Sequence, residues 1–235
     1  EYATAVGNNA NDGKTAATPM ASLQALLRAY NLDAGDTIYV DTGVYNLATN
    51  IVLQAEDSGV TIRGPVLPTH DAVLDRTNTN SGQVVFSFQG ASDVTLEWLN
   101  VTGGQTGIDT TDVTGNDRVT LRHMDVYGNT GNGIDINSGD SDWTIQDSKL
   151  HNNNSNGINA SGSERTIIDG NEVYANEIAF WSDVAAKSPA NPRAAGNLGY
   201  AYALAGRRAE AEAQFRRALA LDPQYTRAAI NLMLL

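Results

Sequence analysis

A chain of 235 residues with 41% hydrophobic content has the material for one large or two small packed units, and none of its apolar runs approaches the roughly 18 residues of a membrane span. Zero cysteines exclude disulfides, thiolate zinc sites and a cysteine nucleophile. The net charge of −12 argues against nucleic acid or anionic lipid as partner, since both need clustered Lys and Arg.

The chain opens at Glu1 without a methionine, which fits the removal of a leader or of an upstream region. Residues 1–18 are polar and rich in Asn and Gly and read as a loop-rich lead-in. The next stretch, MASLQALLRAY, places Leu23, Leu26 and Leu27 at helical spacing and predicts a helix over 20–30, with Thr18 as cap and Pro19 in the first turn. Such a helix would cover the open end of a stack of strands, where unpaired edges and apolar core would otherwise face water.

From Asp36 the apolar period changes to two. TIYVDTGVY, NIVLQ and GVTIRG alternate apolar with polar between Gly, Asp and Asn, and read as strands. A long interval of 34 residues separates Thr61 from Thr95, and the excess is assigned to a loop at 66–71 and a turn at 77–82. Loops that outgrow a repeat tend to mark a functional face. Three regular units follow between 107 and 176, aligning Ile108, Ile134 and Ile158, then Leu121, Ile145 and Ile167, then Val126, Leu150 and Val173. Steps of 25, 24 and 22 residues between Thr95, Thr120, Thr144 and Thr166 fall in the range of solenoid repeats. Each unit offers three short strands, which predicts parallel pairing between successive coils at about 4.8 Å.

This pattern of a Gly-Ile strand, a VTI-like strand and a third strand ending in Asn resembles the right-handed parallel β-helix of pectate-lyase-like and alginate-epimerase-like proteins, over about 1–176. The lead-in DAGDTIYVDTGVY resembles the start of such secreted domains. The resemblance implies a mainly β fold of about six coils, an extracellular or periplasmic location, and a groove over the first strand of each coil.

At Asn176 the composition turns to Ala, Arg and Leu. Residues 1–176 hold 22 Asp and Glu against 8 Lys and Arg, a balance of −14, whereas 177–235 hold 5 against 7, or +2. Leu198, Gly199, Tyr202, Gly206, Ala211, Phe215, Ala218, Leu219 and Pro223 sit at the offsets of a tetratricopeptide repeat, with Ala195 in place of the usual tryptophan. One period back lie Trp181 and Pro189, so the segment resembles half, one and half a repeat. The expectation is that these helices cap the final coil, in a natural fusion or an engineered chimera.

Alternation assigns the outward residues. Ser87, Asp109, Asp135 and Asn159 form one column on the first strand, with Thr111, Asn137 and Ser161 beside it. Neighbouring carboxylates repel unless a proton or cation is shared, so Asp109 and Asp135 suggest a calcium site or a hydrolytic acid pair. Solvated strand ends are the plain alternative. On the third strand Asp125 should stand beside Lys149, with Tyr127, His151 and Tyr174 in the next column. Lys, His and Tyr could neutralise a uronate and exchange its C5 proton, or form a salt bridge and an aromatic ladder. The arginine-bearing signatures expected of pectate lyases or alginate epimerases are absent.

His123 is placed at a corner between Trp98 and Asp147. Asn129, Asn153 and Asn176 should form an amide ladder that also serves a left-handed turn. Trp143 replaces Val119 in the inward register, and Arg207, Arg208, Arg216 and Arg217 make a basic helical face. The function this supports is a non-catalytic extracytoplasmic scaffold or module binding polysaccharide or protein. Its alternatives are a polysaccharide lyase, epimerase or hydrolase, and a fibre that self-associates through the solenoid ends.

Overall fold

A computed structural model describes residues 6–110, 114–174, 176, 181, 185–204 and 206–235. Its strands are short, and each pairs with the strand one coil away. Sheet A holds β1 (Thr37–Tyr39), β4 (Thr61–Arg63), β7 (Thr95–Glu97), β10 (Thr120–Arg122), β13 (Thr144–Gln146) and β16 (Ile167–Asp169). Sheet B holds β2 (Gly43–Asn46), β5 (Ala72–Asp75), β8 (Leu99–Thr102), β11 (Asp125–Tyr127), β14 (Lys149–His151) and β17 (Glu172–Tyr174). Sheet C holds β3 (Ile51–Gln54), β6 (Val84–Gln89), β9 (Thr106–Asp109), β12 (Ile134–Asp135) and β15 (Ile158–Asn159). All these ladders are parallel, giving among the described residues a β-solenoid of five full turns and two strands of a sixth, where about six coils were expected.

The core is the inside of this tube. Ile62, Leu96, Leu121 and Ile145 stack in sheet A, Leu74, Val101, Val126 and Leu150 in sheet B, and Phe86, Ile108 and Ile134 in sheet C, all fully buried. Trp143 lies in the Val119 position as expected, edge-on to Phe88 with centroids 5.3 Å apart, and donates its indole N–H to the Asn116 carbonyl at 2.6 Å. Thr61 pairs with Thr95 across the long coil, so the excess residues do lie in the turns at 64–71 and 76–83.

Two expectations on this part are corrected. The helix is shorter than 20–30. It is α1 (Leu23–Ala29), and the cap is Ser22, whose hydroxyl accepts the Ala25 N–H at 3.3 Å. Leu23 and Leu27 join the tube core, and the side-chain carbonyl of Gln24 accepts the Val52 N–H of edge strand β3 at 2.6 Å. The last coil is also shifted by one residue, because Ile145 pairs with Ile168 and Thr144 with Ile167.

Among the described residues there follow the helices α2 (Pro192–Leu204), α3 (Arg208–Leu221) and α4 (Thr226–Leu234), while residue 181 and residues 185–187 are also helical. Most of the segment proposed as an earlier half-repeat lies outside the described residues. Gly199 lets α2 and α3 cross closely, since a Cβ there would come within 2.7 Å of the Phe215 ring. The two ends of the inward column of sheet A differ in cover: Ile168 is 50% exposed, whereas Ile38 at the other end is only 7% exposed. Tyr174, on the outward side of β17, packs against the helical cluster of Ala185, Ala194, Leu198 and Ala201. No helix among the described residues is long and apolar enough to cross a membrane.

Candidate functional site on the sheet C face

The outward column of sheet C forms in the expected register. Val52 pairs with Ser87, Ser87 with Asp109, Asp109 with Asp135, and Asp135 with Asn159. Ser87 and Asp109 point away from the tube core and yet are only 6% and 7% exposed, because the adjoining turns wall them in. The result is a cavity of about 290 Å³, lined by Asn50, Ser81, Gly82, Ser87, Gln105, Thr106, Asp109 and Asp135, with Val84.

Its wall is built from amides. Asn50 donates to the Gly82 carbonyl at 3.0 Å and accepts from the Val84 N–H and from Nε of Arg76. Arg76 is buried behind this wall, and its other donors go to the carbonyl of Leu47 and the side chain of Gln83. A buried guanidinium must have its hydrogen bonds met, and here neutral oxygens meet them and lock the turn. Gln105 accepts the Gly82 N–H at 2.7 Å from the following coil. Asn50, Ser81, Gln105, Thr106 and Arg76 lie outside the columns that alternation predicts. The only signal for them was the length of the turn at 77–82, which does lie on this face.

Asp135 is held on both oxygens, by the side-chain amides of Asn132 and Asn159, each at 2.7 Å. Asn159 is therefore a positioning partner of Asp135. A calcium ion between Asp109 and Asp135 would share the Asp135 oxygens with these amide N–H donors, and the described residues gather no group of three or more acidic or histidine ligands. Asn137 is separate: its backbone N–H bonds the Thr110 hydroxyl at 2.9 Å, and its side-chain nitrogen is buried without a partner among the described residues. Thr111 lies outside the described residues.

The Lys, His and Tyr set belongs to sheet B, on a different face. Tyr127, His151 and Tyr174 form a flat stack with centroid spacings of 5.3 and 4.9 Å. Asp125 pairs with Nε2 of His151 at 2.9 Å, not with Lys149, and Asn152 bonds the other ring nitrogen at 2.7 Å. Burial, then the charges of Asp125, Asp75 and Asp71, push the Tyr127 phenol above its ordinary pKa, so it stays protonated at neutral pH. Both faces of the His151 ring are covered and both its nitrogens engaged, and the expected Asp125–Lys149 salt bridge is absent among the described residues.

Trp98, His123 and Asp147 take left-handed backbone conformations at one corner, where His123 stacks on Trp98 at 4.2 Å. Asn129, Asn153 and Asn176 do form a ladder, but the left-handed residues are the preceding Gly128 and Asn152. Buried Glu97 lies between Arg63 and Arg122 on sheet A. In the helices Arg207 pairs with Glu210, Arg216 with Glu212, and Arg217 donates to the Pro189 carbonyl, so most of the basic face is already engaged.

A family model described as a right-handed β-helix region matches residues 84–188. The fold is a right-handed parallel β-helix. Among solved structures the β-helix is similar to an alginate lyase from Paenibacillus sp. str. FPU-7, at 18% identity over 64% of this chain and 54% of that one, with a TM-score of 0.49. It is also similar to the pectate lyase Pel9A, at 17% identity over 76% of this chain and 54% of that one, with a TM-score of 0.57. The chain thus spans about half the length of each, and at these identities the likeness is one of fold. Comparison with curated protein sequences finds no match.

Proposed function

We propose that the protein is an extracytoplasmic glycan-binding scaffold whose sheet C face receives a neutral polysaccharide. The observation that carries this reading is the cavity over Ser87, Asp109 and Asp135. Its lining is hydroxyl, amide and carboxylate, groups that suit sugar hydroxyls, and it includes no Lys or Arg. A uronate placed there would meet the two aspartates and no Lys or Arg of the lining, and like charges at that range are costly. In this reading α1 caps the first coil, and the C-terminal helices form a tetratricopeptide-like unit for protein contacts.

Affinity electrophoresis against neutral and acidic polysaccharides tests it. Retardation by a neutral polysaccharide, with Kd raised about tenfold or more by Asp109→Asn, is the expected result. Failure to bind any polysaccharide, or binding that survives the substitution unchanged, overturns it.

A polysaccharide lyase, epimerase or hydrolase acting on the same face is the second reading, favoured by the fold shared with Pel9A. It would use Asp109 and Asp135 as an acid pair, or as ligands to calcium that bridges an acidic sugar. Release of reducing ends or unsaturated uronates, or calcium-dependent thermal stabilisation lost in Asp135→Asn, would favour it over the scaffold.

A further inference from the structure

A second concavity, of about 360 Å³, opens between α1 and strand β3. It lies on the same face as the first, because Val52 and Gln54 of its floor belong to the outward side of β3 and Val52 is the register partner of Ser87. Its wall is α1, fixed by the Gln24 bond to the Val52 N–H and by Leu23 and Leu27 in the core. Tyr30 at the end of that wall is tied down through its hydroxyl, which donates to the Asp12 carbonyl at 2.5 Å, and Lys14 lies over its ring.

Arg28 and Glu56 line this space with Gln24 and Gln54, beside apolar Leu27 and Val52. Asp57 is turned to the backbone, accepting the Gln54 N–H at 2.8 Å, and burial pushes its carboxyl above the ordinary value. Arg28 is exposed and makes no salt bridge among the described residues, although two acidic side chains share its pocket. A planar guanidinium, a carboxylate and two amides around a small apolar floor present paired donors and acceptors to adjacent hydroxyls. Opposite charges in one pocket give no preference for an anion.

We infer that the concavity between α1 and β3 is a second saccharide subsite, in which Arg28 holds a hydroxyl-rich unit of the same neutral chain that the Asp109–Asp135 cavity binds. This rests on the glycan-binding reading of that cavity. The column from Val52 through Ser87 and Asp109 to Asp135 is three strand steps, about 14 Å in all at a spacing of about 4.8 Å. The glycan would therefore run along the solenoid axis, and only oligosaccharides of several units would reach both subsites. Occupying the second site adds affinity without a second loss of translational freedom.

Isothermal titration of the full chain with gluco-, manno- and xylo-oligosaccharides, dimer to octamer, tests the inference. For the sugar series that binds, affinity should rise with length in the wild type. Arg28→Ala should remove about tenfold of that gain for the octamer and leave the dimer unchanged, whereas Asp109→Asn should weaken every length. Arg28→Lys keeps the charge in the last turn of α1 but loses the planar fork, and should lose the gain as well. An octamer bound equally well by wild type and Arg28→Ala, or a flat length series, overturns the second subsite and leaves the first intact. No binding at any length overturns both.

Discussion

Asn153 links three coils through one side chain. Its carbonyl accepts the Asn129 backbone N–H at 3.2 Å and the Asn129 side-chain N–H at 2.9 Å, and its amide nitrogen donates to the Val126 carbonyl at 3.0 Å and to Asn176 at 3.1 Å. Since Asn153 is completely buried, Asn153→Ala leaves donors and acceptors in two coils without water to replace it. At about 1–3 kcal/mol for each unmet group, the loss should be about 3 kcal/mol or more, read from urea unfolding. A corner ladder behaves oppositely. Arg118 makes a two-pronged contact with Asp93, and Arg165 with Asp142, and these hydrogen bonds from the guanidinium hold both carboxyls below their ordinary pKa. A depressed folded pKa adds stability above the unfolded carboxylate value and loses it as pH falls through the folded one. The melting temperature of Arg118→Gln should thus lie below wild type at neutral pH and converge with it under acid, and the gap should shrink in salt because the pair is exposed.

At the scale of strands, the same inward column contains both kinds of position. Ile145 is fully buried between Leu121 and Ile168, whereas Ile168 ends the column half exposed. Ile145→Ala should cost about 2–5 kcal/mol and Ile168→Ala well under half as much, a contrast that thermal denaturation of the two variants would show. Equal losses would mean that another surface covers the last coil. The same pair shows how far the sequence could be read. Ile108, Ile134 and Ile158 align correctly because each apolar residue has polar neighbours, but Thr166 is followed by two isoleucines, and a period of two cannot choose between them. Hydrogen bonding decides, with the Ile167 N–H reaching the Trp143 carbonyl at 2.8 Å. For the site, Ser87, Asp109, Asp135 and Asn159 were legible as one column. Asn50, Gln105 and Arg76 were not, since they come from turns whose stacking depends on side-chain bonds between coils. Lys149 had the right register and the wrong partner, because adjacency on a strand does not fix where a long side chain reaches.

On the scale of the whole molecule, the apolar contacts divide into a tube core and two smaller helical clusters. The first runs from Leu23 to Leu150, the others gather around Leu198 and around Phe215. Tyr174 bridges them, stacked on His151 on the tube side and packed against Leu198 and its neighbours on the helical side. The tube is continuous and its strands are bonded coil to coil, so cooperativity should pass readily along it. The helices are rich in Ala, and Leu204, Ile230, Met233 and Leu234 remain exposed, which leaves them less apolar burial to offset the entropy of ordering. Unfolding should therefore depart from two-state behaviour. In guanidinium the helical circular dichroism should be lost first, and the fluorescence of Trp143, sealed against Phe88 inside the tube, should change at higher denaturant. A Trp98→Phe, Trp181→Phe variant isolates that signal. Tyr174→Ala should widen the gap by cutting the bridge, and coincident transitions in both proteins would show instead that the helices and the solenoid fold as one unit.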